Sequence, residues 1–306
     1  LRWDNYYDLV GTANIQLNSH WVPGLRIENQ LQFAGIRKNV FSIYYPSRRL
    51  NFPAYPFIRV TNLQYPYKLY NKGKIDGRYI LKTDKINIGI GLLLKNFWNT
   101  EFKYFIMQES FQPEDDDTSN KESIAGISLS AQLDLLDDVL LPMNGILLKG
   151  KYENSSIEWG SAINYHLYQG EGDIYFTQKR NTYRVMGYYH QGLNDIPKYL
   201  TTIVEGNQTF VGLNEFQLEG NTLFFSRMEY RYKHKKDIFG HLIFSWLINA
   251  KSVNNVSIEN KWGVGIGITL VSPLGPMEFI WSRGPKNIYS EEGWQNLFHF
   301  SAGYKF

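Results

Sequence analysis

Polar and apolar residues alternate with a period of two along most of the chain, and this pattern restricts the fold more than any other feature. Successive side chains of a β-strand point to opposite faces, so the alternation predicts strands with one apolar and one polar face. The chain is therefore predicted to be all-β. The clearest apolar rows are Leu9, Ala13, Ile15 and Leu17; Ile127, Leu129, Ala131, Leu133 and Leu135; Val264, Ile266, Ile268 and Leu270; and Phe298, Phe300, Ala302, Tyr304 and Phe306.

The polar face separates two classes of β-protein. The water-facing side of a soluble sandwich or propeller, which is the alternative class, readily accepts Lys and Glu. Here that face is mostly Gly, Ser, Thr, Asn and Gln, which suits a crowded, hydrated lumen. No apolar run is long enough for a membrane helix. Aromatic residues form 16% of the chain, and some recur near predicted strand ends, as interfacial girdles would: Trp98, Tyr104, Trp159, Trp262 and Trp281.

These patterns predict a closed antiparallel transmembrane β-barrel of about sixteen strands, the even number that bacterial barrels require. We expect one domain over residues 1–306, with long connections at 46–56, 110–122, 192–221 and 283–295. Short turns such as Gly35 to Lys38 are expected at the opposite rim, and 71–85 fits either strand or turn. The strands are centred near 6–19, 25–36, 38–46, 56–70, 86–95, 99–109, 123–135, 145–154, 157–168, 170–179, 182–191, 222–233, 239–250, 261–272, 275–282 and 296–306.

Charge and cysteine usage exclude several functions. The net charge is +3, from 32 basic and 29 acidic residues without a basic stripe, so no nucleic-acid partner is expected. The chain contains no cysteine, which excludes disulfides and thiol chemistry. It begins at Leu1 without an initiator Met or a signal peptide, so we expect further sequence upstream.

The last third has a distinctive ending. A glycine-alternating strand from Gly263 leads to Ser272, Pro273, Gly275 and Pro276, and a final strand carries Gly303, Tyr304 and the terminal aromatic Phe306. The prolines cannot donate to a β-ladder and fit a tight rim turn. This ending resembles the C-terminus of the bacterial surface-antigen superfamily, whose barrels include outer-membrane insertases, two-partner-secretion transporters and patatin-like phospholipase proteins. The resemblance implies the bacterial outer membrane and an aromatic end that assembly machinery recognises.

Two further segments support the resemblance, and one departs from it. Residues 137–145 resemble a mid-barrel turn of the superfamily, and 210–220 resemble the end of its long sixth extracellular loop. Insertases and transporters carry Val-Arg-Gly-Phe/Tyr in that loop, with the Arg paired to an Asp of a following strand. This chain has Phe210, Val211, Gly212 and Leu213, followed by Gly220, and no acid between Phe244 and Ala250. Removing both charges together avoids a lone buried charge. The loop lock is therefore expected to be absent or rebuilt, and we expect loop 192–221 to enter the lumen.

The compact length and the 212–220 pattern favour the patatin-like branch, in which a lipase domain and a POTRA (polypeptide-transport-associated) domain precede the barrel. The chain would then be an anchor or translocation domain. The alternative is an insertase-like assembly or translocation factor that opens the seam between its first and last strands. Expected partners are outer-membrane lipid, lipopolysaccharide and the barrel-assembly machinery during insertion. A second copy of the chain or other outer-membrane proteins are further candidate partners.

No catalytic or cofactor site is predicted, and an enzyme barrel is disfavoured. The chain lacks a Gly-x-Ser-x-Gly elbow. The histidines show no metal-ligand spacing, so no metal is expected: His20, His166, His190, His234, His241 and His299. Residues 114–117 could bind calcium but fit a solvated turn better. Arg227, Glu229, Arg231 and Lys233 share the inward face of one strand, either as a solvated charge cluster or as a socket for loop 192–221.

Overall fold

The computed structural model forms one antiparallel β-sheet curled into a barrel. It describes the chain except residues 1, 5–7, 20–21, 23–24, 46–52, 72–73, 96, 114–119, 195, 197–199, 201–205, 207–208, 215–216, 219, 252–256, 274, 287, 289–292 and 304–306. No helix within the described residues is long and apolar enough to cross a membrane. The strands are β1 Arg2–Asp4, β2 Asp8–Asn18, β3 Arg26–Ala34, β4 Arg37–Tyr44, β5 Ala54–Asn71, β6 Lys74–Leu94, β7 Trp98–Pro113, β8 Asn120–Asp134, β9 Gly145–Ser155, β10 Tyr165–Gln178, β11 Asn181–Asn194, β12 Thr222–Lys235, β13 Ile238–Lys251, β14 Ser257–Ser272, β15 Gly275–Pro285 and β16 Trp294–Gly303.

Strand order in the sheet follows chain order, and β1 pairs with both β2 and β16. In the described residues, the first and last strands are linked by three residue pairs: Arg2 with Gly303, Trp3 with Ala302, and Asp4 with Ser301. The neighbouring pair β15–β16 has nine such pairs. The predicted all-β antiparallel barrel is confirmed, with a short junction at β1.

The predicted count of sixteen strands agrees with the structure, although two of its members were wrong. The predicted strand 6–19 corresponds to β2, and the short strand β1 was not predicted. The predicted strands 157–168 and 170–179 are one strand, β10, preceded by a 3-10 turn at Ile157–Trp159. The predicted break between these two strands, at residue 169, lies inside β10, where the ladder continues through Gln169 and Gly170. Residues 74–85 belong to β6 rather than to a turn.

These errors reversed the predicted rim of some connections. Because consecutive strands are antiparallel, connections alternate between the two rims. The turn at Gly35 therefore lies at the rim of connection 195–221, not opposite it. Connection 45–53 lies at the other rim, with the turns 179–180, 236–237 and 273–274. That rim also carries the end of β16 and is called the C-terminal rim below.

The predicted faces agree with the observed exposure. On β14, Ile266 and Ile268 are about half exposed on the outside, whereas Gly265, Gly267 and Thr269 are buried on the inside. On β16, Phe298 is 60% exposed and its neighbour His299 is 8% exposed. An outer wall of exposed apolar side chains is what a bilayer requires. The girdle candidates Trp98, Trp159, Trp262 and Trp281 are all exposed.

Candidate functional site: the lumen

Part of connection 195–221 lies inside the barrel against β12 to β15. Phe210, Val211, Leu213 and Leu218 are at most 1% exposed. Phe210 meets the ring of Phe225 edge-on, with 5.9 Å between ring centroids. Val211 packs with Ile243 and Ile280, which point inward because their neighbours Leu242 and Trp281 are exposed outside. The apolar tetrad 210–213 predicted from the sequence is thus packed inside the barrel, and it is called the Phe210 insert below.

Glycines on the inner wall leave the space that the backbone of this insert occupies, and this space is called its seat below. A Cβ on Gly263 would lie 1.9 Å from the carbonyl oxygen of Val211, and one on Gly284 would lie 2.4 Å from that of Gly212. Gly212 itself has φ 90°, which favours glycine. The glycine alternation of β14 therefore has a local physical reason, because any side chain at Gly263 would collide with the loop backbone.

Neutral hydrogen bonds hold the insert at its ends. The amide of Val211 donates to Ser245 Oγ at 3.1 Å, and Ser245 lies in the strand where the resemblance implies an acid. Gln295 Nε2 donates to the carbonyl of Gly212 at 3.1 Å and to Gln217 Oε1 at 2.8 Å. Gln217 Nε2 in turn donates to the carbonyl of Lys286 at 2.8 Å. The described part of the loop is held by apolar packing and by hydrogen bonds of amide groups, rather than by the Arg–Asp pair that the resemblance implies for transporting members.

Below the insert, the structure places Arg227, Glu229 and Arg231 together on the inner face of β12. Glu229 lies at the centre, with Arg227 Nη2 at 3.3 Å and Arg231 Nη2 at 3.1 Å. Two residues that the sequence did not indicate complete the group: Arg184 Nη1 at 3.4 Å and His241 Nδ1 at 2.9 Å from Glu229. These five residues are called the Glu229 cluster below.

The remaining predicted member, Lys233, lies apart from the Glu229 cluster. Its ammonium lies 5.7 Å from the ring centroid of Phe239. Arg184 extends the cluster in the other direction through a 2.7 Å ion pair with Asp173 of β10. Arg184 and Asp173 occupy inward positions of the alternation, so the sequence pattern could have indicated that both side chains face the lumen. Their pairing needs the register of β10 and β11, which a single sequence does not provide.

The β8–β9 connection, residues 135–144, contacts this cluster from the C-terminal rim. The carbonyl of Pro142 accepts a 3.0 Å hydrogen bond from Arg231 Nη1. The carbonyl of Met143 accepts one from Thr177 Oγ1 at 2.6 Å, and Asn144 Oδ1 accepts one from the amide of Thr177 at 2.9 Å. Residues 139–142 and the cluster enclose a cavity of about 230 Å³. The turn therefore reaches the lumen from the rim opposite the Phe210 insert.

Asp137 shapes this turn. Its carboxylate accepts hydrogen bonds from the amide of Met143 at 2.8 Å and from Asn144 Nδ2 at 3.3 Å. Desolvation acts against the charged form, but these hydrogen bonds outweigh it and hold the pKa of Asp137 below its ordinary value. Asp138 caps the next stretch by accepting from the amides of Leu140 and Leu141 at 2.7 and 2.9 Å.

A second set of charges, which the sequence did not indicate, lines the lumen on β5 to β9. Arg59 pairs with Glu101 at 3.0 Å, and Lys151 pairs with Glu153 at 2.8 Å. Lys103 also approaches Glu101, at 3.4 Å. A recess of about 480 Å³ beside them is lined by opposite charges and amides. These alternating signs suit a hydrated interior and single out no ligand.

The C-terminal signature forms a rim turn. Ser272 pairs with Gly275 in the ladder and its Oγ donates to the carbonyl of Gly275 at 2.8 Å. Gly275 and Gly303 have φ of 107° and 109°. Pro276 pairs with Val271, and Pro273 lies at the turn. Tyr304 and Phe306 lie outside the described residues, as do residues 114–117 and His20.

The remaining predicted sites are placed as follows. Gly220 is buried beside Lys251, whose carbonyl oxygen lies 2.7 Å from where a Cβ would be. His166 and His190 contact Tyr152 and Gln169, respectively. Among the described residues, no group of three His, Asp or Glu side chains is arranged to hold a metal ion.

Comparison with known proteins places the chain in a family. The model of the Omp85 superfamily domain matches residues 61–306. Similar solved structures include BamA from Haemophilus ducreyi lacking POTRA domains 1–3, with a TM-score of 0.78, 11% identity and coverage of 98% of this chain and 68% of that one. CdiB from Acinetobacter baumannii has a TM-score of 0.58 and 11% identity, covering 96% and 56%. CdiB from Escherichia coli has 0.53 and 10%, covering 96% and 62%.

No curated protein sequence matches the chain significantly. At about 11% identity the structural matches show the shared fold alone, and this chain spans only part of each matched chain. The family match covers most of the chain and confirms the superfamily that its C-terminal ending predicted. The chain belongs to the Omp85 superfamily and is a β-barrel of the Gram-negative outer membrane.

Proposed function

We propose that this chain is the barrel of an Omp85-type protein that assembles or translocates other proteins at the outer membrane. The family match over residues 61–306 carries the proposal, and the likeness of the fold to BamA supports it. In this proposal the barrel has no catalytic role and requires no cofactor. Domains upstream of Leu1 would belong to the same protein.

We further propose that β1 closes the barrel and that its junction with β16 is the site of action. Among the described residues, three pairs join β1 to β16, against nine between β15 and β16. Each lost ladder pair removes hydrogen bonds that lipid cannot replace. Strand separation would therefore be easiest at β1, and the unpaired edge of β16 would then accept a strand of a client protein by β-augmentation.

A second candidate is the anchor barrel of a patatin-like phospholipase protein. The specific observation in its favour is the neutral seat of the Phe210 insert, where Ser245 and Gln295 form the hydrogen bonds. That seat differs from the charged lock that the resemblance implies for transporting members. In this reading a lipase domain and one POTRA domain precede Leu1, and the barrel positions them at the membrane.

We propose the same orientation and partners for both candidates. In this orientation the C-terminal rim faces the periplasm, and the rim that carries connection 195–221 faces the cell exterior. Lipid and lipopolysaccharide contact the wall, and the barrel-assembly machinery inserts the chain. A second copy of the chain or other outer-membrane proteins could contact the wall or the rims. A nucleic-acid partner is not part of the proposal, since the net charge is only +3.

Depletion of the full-length protein distinguishes the two candidates. An assembly factor predicts that unrelated outer-membrane barrels lose their folded, heat-modifiable forms as the protein is depleted. An anchor predicts that they persist while one attached activity disappears from the membrane. A complementary assay reconstitutes the full-length protein in liposomes and follows insertion of an unfolded client barrel. Unchanged insertion relative to empty liposomes, with normal barrels after depletion, would contradict the assembly role.

A further inference from the structure

The outer wall near the C-terminal rim has a groove around Gly240. In the ladder, Gly240 lies between Tyr232 of β12 and Ile268 of β14. A Cβ built on Gly240 meets no atom within 4 Å, so the space that a lipid-facing side chain would fill at this position is empty of protein atoms. The groove measures about 550 Å³, and its lining includes Tyr230, Tyr232, Leu242, Ile266, Ile268 and Trp281. It is an apolar channel of suitable chemistry for a hydrocarbon chain.

A basic surface adjoins the rim end of this groove. The turn between β10 and β11 carries Lys179 and Arg180, and the turn after β12 follows Lys235 with Lys236 and Asp237. All five side chains are exposed. The two turns are neighbours, because the amide of Lys233 donates to the carbonyl of Arg180 at 2.8 Å. The two turns therefore present four cations and one carboxylate at this rim.

We propose that this surface is a binding site for an anionic phospholipid, with one acyl chain in the Gly240 groove and the phosphate against the cations of the two turns. The site depends on the barrel lying in the outer membrane in the orientation proposed above, and not on which of the two candidate functions is right. Hydrocarbon fills the groove because an unfilled hollow loses dispersion contacts along its whole lining. Lysine and arginine attract an anionic headgroup, whereas a zwitterionic one gains less.

Tyr232 connects the two parts of the site. Its side chain is 39% exposed and stands between the groove and the turn at Lys235. An aromatic ring with a hydroxyl favours the boundary between hydrocarbon and headgroups. The proposed occupant is a phospholipid of the leaflet at the C-terminal rim. Lipid A also carries phosphate, and it would bind here only if it occupied that same leaflet.

Native mass spectrometry of the full-length protein tests the groove. Phosphatidylglycerol and phosphatidylcholine with identical acyl chains are titrated separately, and the bound fractions are compared. Gly240→Leu places a side chain in the groove, and we expect weaker phosphatidylglycerol binding by about fourfold for each methylene displaced. The matched control is Gly187→Leu on β11, since a Cβ there also meets nothing within 4 Å. This control is expected to bind like wild type.

Charge substitutions test the headgroup part of the site. The double variant Lys235→Gln, Lys236→Gln should weaken phosphatidylglycerol binding by about fivefold per lysine and leave phosphatidylcholine unchanged. Lys95→Gln, at an exposed lysine of the same rim beyond the groove, is the control. Equal binding of the two lipids by wild type would overturn the proposal. So would equal effects of Gly240→Leu and Gly187→Leu, or tighter binding of lipid A than of phosphatidylglycerol.

Discussion

Glu229→Gln is the most informative substitution in the lumen, because it keeps the shape of the side chain and removes its charge. Glu229 is about 5% exposed and is surrounded by Arg184, Arg227, Arg231 and His241 within 3.4 Å. Loss of one partner from a buried ion pair costs about 3–5 kcal/mol, because the remaining charges stay desolvated without compensation. We expect the free energy of unfolding to fall by about that amount.

Glu171→Gln is the matched control. Glu171 pairs with Lys149 at 3.2 Å, but their side chains are 26% and 44% exposed. Water screens such a pair, so its loss should cost about 0–1 kcal/mol. Both variants are unfolded by urea in lipid vesicles and followed by tryptophan fluorescence and by heat-modifiable mobility on gels.

A second variant separates charge from packing. Adding Arg227→Met to Glu229→Gln removes a cation together with the anion, and charge pairs removed jointly are often neutral to stability. We expect part of the loss to be recovered. The electrostatic reasoning is refuted if Glu229→Gln lies within about 1 kcal/mol of Glu171→Gln, or if Arg227→Met deepens the loss by the full amount of a second independent defect.

Three further predictions concern the insert and the opposite rim. Gly263→Ala places a Cβ 1.9 Å from the carbonyl of Val211, so we expect destabilisation of about 1–3 kcal/mol and faster proteolysis of connection 195–221, whereas Gly187→Ala should change neither. Reconstituted wild-type protein should conduct ions far less than a general porin, because Phe210 and Val211 occupy the lumen; porin-like conductance would contradict this. The lowered pKa of Asp137 stabilises its turn above the ordinary value of 3.8, and this contribution is lost as the pH falls through the folded-state pKa. The protection of the Met143 amide, measured as its exchange rate relative to the intrinsic rate at the same pH, should therefore fall on acidification, and Asp137→Asn should abolish that pH dependence.

The barrel could be predicted from the sequence because alternation is a local consequence of strand geometry. Ile266 and Ile268 could be assigned to the outer face from the sequence alone, because they alternate with Gly265 and Gly267 whatever the partner strands are. Strand boundaries were predicted less well, because alternation does not show where a ladder ends. The predicted break at residue 169 lies inside β10, where the ladder continues through the pairs of Gly170 with Gly150 and Tyr189.

The lumen sites could be predicted only in part, since they depend on register between distant strands. Arg227, Glu229 and Arg231 were visible as one inward row, because they lie on a single strand. Their partners Arg184 and His241 come from neighbouring strands, and the contact of Arg231 with Pro142 spans 89 residues. The glycine row of β14 was recognised as a family pattern, but its reason, the seat for Val211, required the loop's position.

Cysteine cross-linking tests most directly that residues 210–213 are seated inside the barrel. The chain has no cysteine, so engineered pairs react without background. Val211 and Ser245 are in contact through a 3.1 Å hydrogen bond, whereas the adjacent Phe244 is exposed on the outer face. In outer membranes of intact cells, Val211→Cys with Ser245→Cys should form a disulfide on oxidation, and Val211→Cys with Phe244→Cys should not. Equal cross-linking of both pairs, or none with Ser245→Cys, would contradict the account.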